Sequence, residues 1–400
     1  MRRILWTTSL VAVAWVGWAE APVVGQTPAT SAVPNMVGQI MTVTGPIDPN
    51  ELGQTIMHEH IFIDFTVMDD TPERWSTTGR TKPLGATAVG RYLAPLTIDI
   101  LGDVTLGAAN RDNWLLTDEQ VAIDEVLEFK RRGGGAIVDT TSIGLKRDPL
   151  ALRRVADATG LHVVMGASWY RKGWHTSDLD DRSIESLTEE IVRDVTVGVG
   201  DTGIRSGMIG EVGTEGDPLV PNEVKIIQAS GRASRITGAP VTLHTSAQRH
   251  EQPRILDLLE AEGADLRRVV VGHSNSLAPD LPFMEELLAR GVYIQFDTLG
   301  RQPTVRRSVN DTDVAHGIVD LIDAGYVERI LLSQDVCTKI QLKAYGGSGF
   351  SFIQEHFIPY LKQLGVTDAQ LQTIMVENPK RVLTFAAPGS GAVNGSRQEG

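Results

Sequence analysis

Eight short apolar runs recur along the chain, separated by stretches with helical patterning. The runs are Thr55–His58, Ala136–Thr140, Val163–Ser168, Met208–Val212, Val241–Thr245, Val269–Ser274, Tyr293–Thr298 and Ile330–Asp335. They are continuous rather than alternating, which fits parallel strands covered on both faces. Between the first two, Thr117–Arg132 places Val121, Val126, Leu127 and Phe129 at helical spacing and stops at Gly133-Gly134-Gly135. Asn222–Thr237, Gln252–Ala261, Pro282–Ala289 and Asp313–Ala324 behave likewise. Strands alternating with helices in this number predict an α/β fold, a (β/α)8 TIM barrel. The segment Thr66–Asn113 is too long for a simple connection. It is predicted as an extended loop or small subdomain over the barrel mouth.

A chain of 400 residues fits one such barrel or two average domains. At 42% hydrophobic and 22% charged it can bury a full core, which excludes disorder as the overall state. The net charge of −13 repels phosphate backbones, so nucleic acid is excluded as a partner. The single cysteine, Cys337, can form no internal disulfide and rules out a zinc site built on several thiolates. Any metal must be held by His, Asp and Glu.

The front of the chain has the form of an address. Met1-Arg2-Arg3 precedes an uncharged run from Ile4 to Ala19, followed by a Pro/Thr/Ser/Gly-rich stretch. This predicts a signal peptide over residues 1–19, cut after Ala19, with export to the periplasm or outside the cell. The run is short of the roughly 20 apolar residues that a spanning helix needs, so no stable membrane insertion is expected after cleavage. Residues 20–36 are expected to be a flexible spacer, 37–385 the barrel, and 386–400 a disordered tail. Loss of Arg2 and Arg3 would take the charge from −13 to −15.

The polar residues at the strand ends carry the chemistry. His58 and His60 form His-x-His at the end of the first run, and residues i and i+2 of a strand share a face. Glu211 lies in the fourth run, His244 near the end of the fifth, His273 in the sixth and Asp335 closes the eighth. In a (β/α)8 barrel these ends converge on one mouth. Four imidazoles and two carboxylates there can hold two divalent ions, and water shared between them would ionise near neutral pH. His162, His175, His250, His316 and His356 lack such placement and are expected to be surface or structural residues. His175 and His250 lie close enough to strand ends to edge a pocket.

TIMHEHIFIDF, DTGIRSGMIGEVGTEG, PVTLHT, VVVGHS, ILLSQD and ENPKRVLTF, in this order, resemble the phosphotriesterase family of the amidohydrolase superfamily. The likeness runs from about Gly45 to Phe385, and SQDVCTKIQLKAYGGSGFSFI is similar to the phosphotriesterase-related branch. The resemblance implies a (β/α)8 barrel with two divalent ions. Zinc is the first expectation, with manganese, cobalt or iron also suited to the donors. By the resemblance His58, His60 and Asp335 would hold the more buried ion, and His244 and His273 the more exposed one. Glu211 would bridge them where many members use a carboxylated lysine. Lys225, the other candidate bridge, falls within a helical pattern. A hydroxide between the ions would attack the substrate, with Asp335 taking its proton. The best-known members pass that proton to an Asp after the sixth strand and a His after the seventh. Here Ser276 and Thr298 stand near those places, with Asp297 in reach of a local role.

The loop after the third run, with Trp169, Tyr170, Arg171, Lys172 and Trp174, is a candidate substrate wall, as are Arg301, Arg306 and Arg307 after the seventh. Cys337 is expected to be buried and not a nucleophile. The chain is expected to be an exported binuclear metal-dependent hydrolase acting on a small molecule, and the resemblance implies a homodimer, as is common among barrels of the family. A lactone or carboxylic ester is expected first, with a phosphotriester or an N-acyl amide of a small acid as alternatives. A ligand-binding barrel without chemistry is the rival from another class.

Overall fold

A computed structural model describes residues 35–67, 70–245, 249–301 and 309–389. Eight parallel strands form the barrel: β1 (Gln54–Glu59), β2 (Gly134–Asp139), β3 (His162–Met165), β4 (Ile209–Thr214), β5 (Val241–Thr245), β6 (Val269–Val271), β7 (Tyr293–Phe296) and β8 (Ile330–Leu332). They pair in chain order within two arcs, β1–β2–β3 and β4 through β8. Backbone bonds close the arcs on both sides. Gly210 N–H donates to the Ala167 carbonyl (2.6 Å), and Asp335 N–H to the His58 carbonyl (3.1 Å). Each expected run overlaps a strand, with the ends shifted by up to three residues. The barrel therefore stands as expected, with helices such as Glu119–Arg131, Pro221–Thr237 and Asp311–Asp323 between the strands.

Alternation along the strands separates two hydrophobic layers. Met57, Ala136, Val138, Val164, Val270, Tyr293 and Leu331 form a compact inner cluster. Their neighbours Ile56, Ile137, Val163, Val269, Ile294, Ile330 and Leu332 pack outward under the helices. The inner cluster includes Ile40 from the first hairpin (Ile40–Thr42 with Gly45–Ile47), Leu52 at the end of the turn Pro49–Glu51, and Val382 and Leu383 from the last helix (Asn378–Leu383), at the end away from the mouth. Inward residues packed in layers make the barrel a filled core, not a pore.

Two boundaries differ from expectation. Met36 is already buried in the core, so packing starts inside the expected spacer. At the other end Ala386 N–H donates to Gly238 (3.0 Å) and Gly389 N–H to Arg235 (2.7 Å), so the expected tail remains bonded to the barrel through Gly389. The expected signal peptide, most of the spacer, and 390–400 lie outside the described residues, as do Arg306 and Arg307. Among the described residues no helix is long and apolar enough to cross a membrane. The segment after β1 forms three short helices, Pro72–Thr77, Ala86–Leu93 and Ile98–Thr105. An antiparallel pair, Ile63–Asp64 with Leu115–Leu116, ties its start to its end.

Candidate metal centre at the barrel mouth

Two bulges aim the central residues. Between Ile56 and Glu59, β1 takes three steps where β2 takes two, from Ile137 to Asp139. Strict alternation would send His58 outward with Ile56; the extra residue returns it to the interior. The same happens in β4, where Ile209 faces Val241 and Val212 faces Leu243. Ile209 and Val212 both pack outward, so the residue added between them lets Glu211 point in. Gly210 makes the bulge possible: its φ is +128°, and a Cβ there would lie 2.3 Å from the Thr242 carbonyl.

All six expected ligands meet. His58 Nε2 lies 3.2 Å from Glu211 Oε1, and His60 Nε2 lies 3.4 Å from Asp335 Oδ1 and 3.8 Å from Glu211 Oε2. The same Oε1 is 2.5 Å from His244 Nδ1 and 3.1 Å from His273 Nε2. The donor atoms fall into overlapping groups: His58, His60 and Asp335; Glu211, His244 and His273; and His58, His273 and Asp297. His273 and Asp335 have left-handed backbones (φ 53° and 50°), a conformation that is rare outside glycine and gathers at functional sites.

Neighbouring groups set the ring tautomers. The Thr141 hydroxyl donates to the Phe62 carbonyl (3.1 Å), so it accepts from His60 Nδ1 (2.9 Å) and leaves His60 Nε2 unprotonated, with its lone pair free for a metal. The Asp297 carboxylate accepts from His273 Nδ1 (2.8 Å) and frees His273 Nε2 in the same way. Asp297 also accepts from Gln295 Nε2 (2.8 Å) and lies 3.3 Å from His58 Nδ1. Thr141 and Gln295 had no mark in the sequence; Asp297 did, at the end of the seventh run.

Charge is arranged to match. Burial opposes ionisation of Glu211, but the His244 and His58 imidazoles and its hydrogen bonds hold its carboxyl well below the usual range. Burial likewise opposes ionisation of Asp335, and the Arg301 guanidinium and His60 outweigh it. Burial pulls His244 down to about 4, despite Glu211. For His273 burial is outweighed by Asp297, which holds the ring well above its ordinary value. The site thus offers anionic oxygens and imidazoles whose protons a cation would displace.

The donor set fits divalent metal. His58 Nε2 and Glu211 Oε2 are buried at its centre with no hydrogen-bond partner. An orphaned buried polar atom is costly, and ions bound by imidazole and carboxylate would satisfy both. Lys225 is elsewhere, its Nζ donating to the Leu179 carbonyl (2.7 Å) and the Arg182 carbonyl (3.0 Å). Asp217, His250 and Glu251 form a separate, largely exposed group.

A cavity of about 960 Å³ opens over His273, with Phe65, Leu106, Arg301, Cys337 and Phe352 on its walls. The expected substrate residues divide. Tyr170 meets the His244 ring edge-on, with centroids 4.8 Å apart. Trp169 and Trp174 are 1% and 0% exposed and do not face the cavity; they anchor the loop from behind, because the loop folds its indoles into the core. Arg171 pairs with Glu215 and Lys172 is exposed, neither lining the cavity. Arg301 lines it while donating to Asp335. Cys337 is buried with its thiol pushed up, mainly by burial, as expected of a residue that is not a nucleophile.

The model of the phosphotriesterase family matches residues 38–383. An N-acetyltaurine hydrolase of Bos taurus is 32% identical over 360 residues, 88% of this chain and 99% of that protein. Among solved structures, a resiniferatoxin-binding protein from Rhodobacter sphaeroides is 37% identical with a TM-score of 0.78, over 89% of this chain and 97% of that one. A PTE-like lactonase mutant from Deinococcus radiodurans is 27% identical with a TM-score of 0.67, over 86% and 99%.

Proposed function

The chain belongs to the phosphotriesterase family and is a metal-dependent hydrolase, and from that premise we propose that it cleaves the acyl bond of a small molecule. The observation that carries this is the cluster of His58, His60, Glu211, His244, His273 and Asp335 around two orphaned donor atoms. We read Glu211, grouped with His244 and His273 and lying 3.2 Å from His58 and 3.8 Å from His60, as the bridge, and zinc as the first candidate metal. Divalent ions bound there would polarise a carbonyl oxygen and ionise water near neutral pH. Asp335, kept anionic by Arg301, is placed to take a proton at the carboxylate oxygen nearer His60. Asp297 holds His273, and Thr141 holds His60, with the ligating nitrogen turned inward.

An N-acyl amide of a small acid becomes the first substrate class, because an N-acetyltaurine hydrolase is similar over nearly its whole length. The lactone or carboxylic ester expected from sequence becomes the second, favoured by the likeness to a PTE-like lactonase. Both present the same carbonyl. A phosphotriester ranks behind them: Ser276 and Thr298 line the cavity where a proton relay would need acid and base. We also propose that the chain is exported, on its N-terminal patterning alone.

The test is a hydrolysis screen with metal-reconstituted protein, using N-acyl amino acids and aminosulfonates, lactones, aryl esters and a paraoxon-type triester. The highest kcat/KM is expected for an N-acyl amide. A tenfold or greater preference for lactones would select the second class, and turnover of the triester alone would overturn both.

A further inference from the structure

The segment after β1 brings one cation to the aromatic wall beside the mouth. The guanidinium carbon of Arg80 lies 3.7 Å from the Trp114 ring centroid and 4.3 Å from that of Phe65. Phe65 stacks on Trp174 (4.6 Å), and Tyr170 links this wall to His244. Phe65 lines the large cavity over His273, whereas Arg80 lines a neighbouring cavity of about 440 Å³. Gly107 borders both cavities, and Arg80 touches the wall of the larger one through its contact with Phe65.

The other cations here are neutralised. Lys82 pairs with Asp70 (2.9 Å), Arg91 with Asp103 (3.0 Å), and Arg171 with Glu215. Among the described residues Arg80 has no carboxylate partner, and its one hydrogen bond goes to the Phe65 carbonyl. A guanidinium has five N–H donors in a planar fork that matches carboxylate or sulfonate oxygens. Burial, with Arg171 nearby, pushes Arg80 down to about 10, the mark of a charge that lacks an anion. A cation held on aromatic faces without a counter-charge is placed to receive one from solution.

We propose that Arg80 is a substrate-positioning residue that recognises an anionic group, so that the enzyme selects acyl compounds bearing a carboxylate or sulfonate. This rests on the acyl-hydrolase reading above for its catalytic half only. The chain is acidic overall, so such a substrate needs a local cation.

Two measurements on metal-loaded wild type, Arg80→Gln and Arg80→Lys separate the parts. Calorimetry with the inert probes butanesulfonate, pentanoate and butanol tests the anion site without any turnover. Kinetics with N-acetyltaurine and neutral N-acetylethanolamine tests its use in catalysis. Arg80→Gln is expected to weaken binding of at least one anion about 10- to 100-fold, the loss typical of one charge-assisted hydrogen bond. KM for N-acetyltaurine should rise by a similar factor with kcat little changed, N-acetylethanolamine should be unaffected, and Arg80→Lys should recover part of the loss. Stronger binding of one probe tells sulfonate from carboxylate. Unchanged anion binding in Arg80→Gln, or an equal loss with the neutral amide, overturns the proposal. Anion binding that depends on Arg80 in a protein that cleaves no acyl compound would leave the site standing and remove the acyl-hydrolase reading instead.

Discussion

Asp297 grips His273 twice, through its backbone N–H (2.9 Å) and its ring Nδ1 (2.8 Å). The same carboxylate lies 3.3 Å from His58 Nδ1, and Gln295 Nε2 contacts both that carboxylate (2.8 Å) and His58 Nδ1 (3.1 Å), so one buried acid stands beside a ring from each of the two ligand groups. Carboxylates that hold ligating histidines typically contribute about 10- to 100-fold to metal affinity or activity. Asp297→Asn keeps the shape and removes the charge. It is expected to weaken metal binding by a factor in that range, read by competition with a chromophoric chelator. Unchanged affinity would show that His273 is oriented by something else.

Gly213, at the mouth end of β4, sits against the Tyr170 loop. A Cβ there would lie 2.0 Å from the Arg171 nitrogen and 2.2 Å from the Tyr170 carbonyl carbon. Both are backbone atoms, so the loop itself must move. Gly213→Ala is expected to lower stability by about 1–3 kcal/mol, the usual cost of overpacking, and to disturb Tyr170 beside His244. A thermal melt and kcat/KM should both fall; a wild-type melt would contradict the placement of this loop.

His175 gives stability a pH dependence. Burial holds it down at about 4, and its Nε2 has no hydrogen-bond partner. The unfolded chain takes up the proton near 6.5 and the folded chain resists until about 4, so stability is full above 6.5 and falls as pH drops through that window. The loss from this group between pH 7 and pH 5 is roughly 2 kcal/mol. Urea unfolding at the two pH values should show a smaller difference in His175→Gln than in wild type. Equal differences would mean that His175 is not the group responsible.

Much of this was legible because strand ends in a barrel share one mouth. Once eight runs are recognised, His58, His60, His244, His273 and Asp335 must converge, whatever the loops do. The aim of individual side chains was less legible. A two-residue period sends His58 and Glu211 outward, and only the bulges in β1 and β4 turn them in. Gly210 was the visible trace of one bulge; the other left none. Trp169 and Trp174 were read as a substrate wall because an aromatic loop after a strand can face either the cavity or the core, and composition does not distinguish them. Arg80 was hidden for a different reason: its meaning depends on which carboxylates are absent around it, and that is a property of the folded surroundings.

The central claim is that Glu211 joins the two halves of one binuclear centre. Metal analysis of purified, metal-reconstituted wild type and Glu211→Ala, alongside turnover of the best substrate, tests it most directly. Wild type is expected to hold about two divalent ions per chain. Glu211→Ala, its fold verified by circular dichroism, is expected to lose at least one ion and nearly all activity. A folded Glu211→Ala protein that keeps both ions and full turnover would contradict the claim.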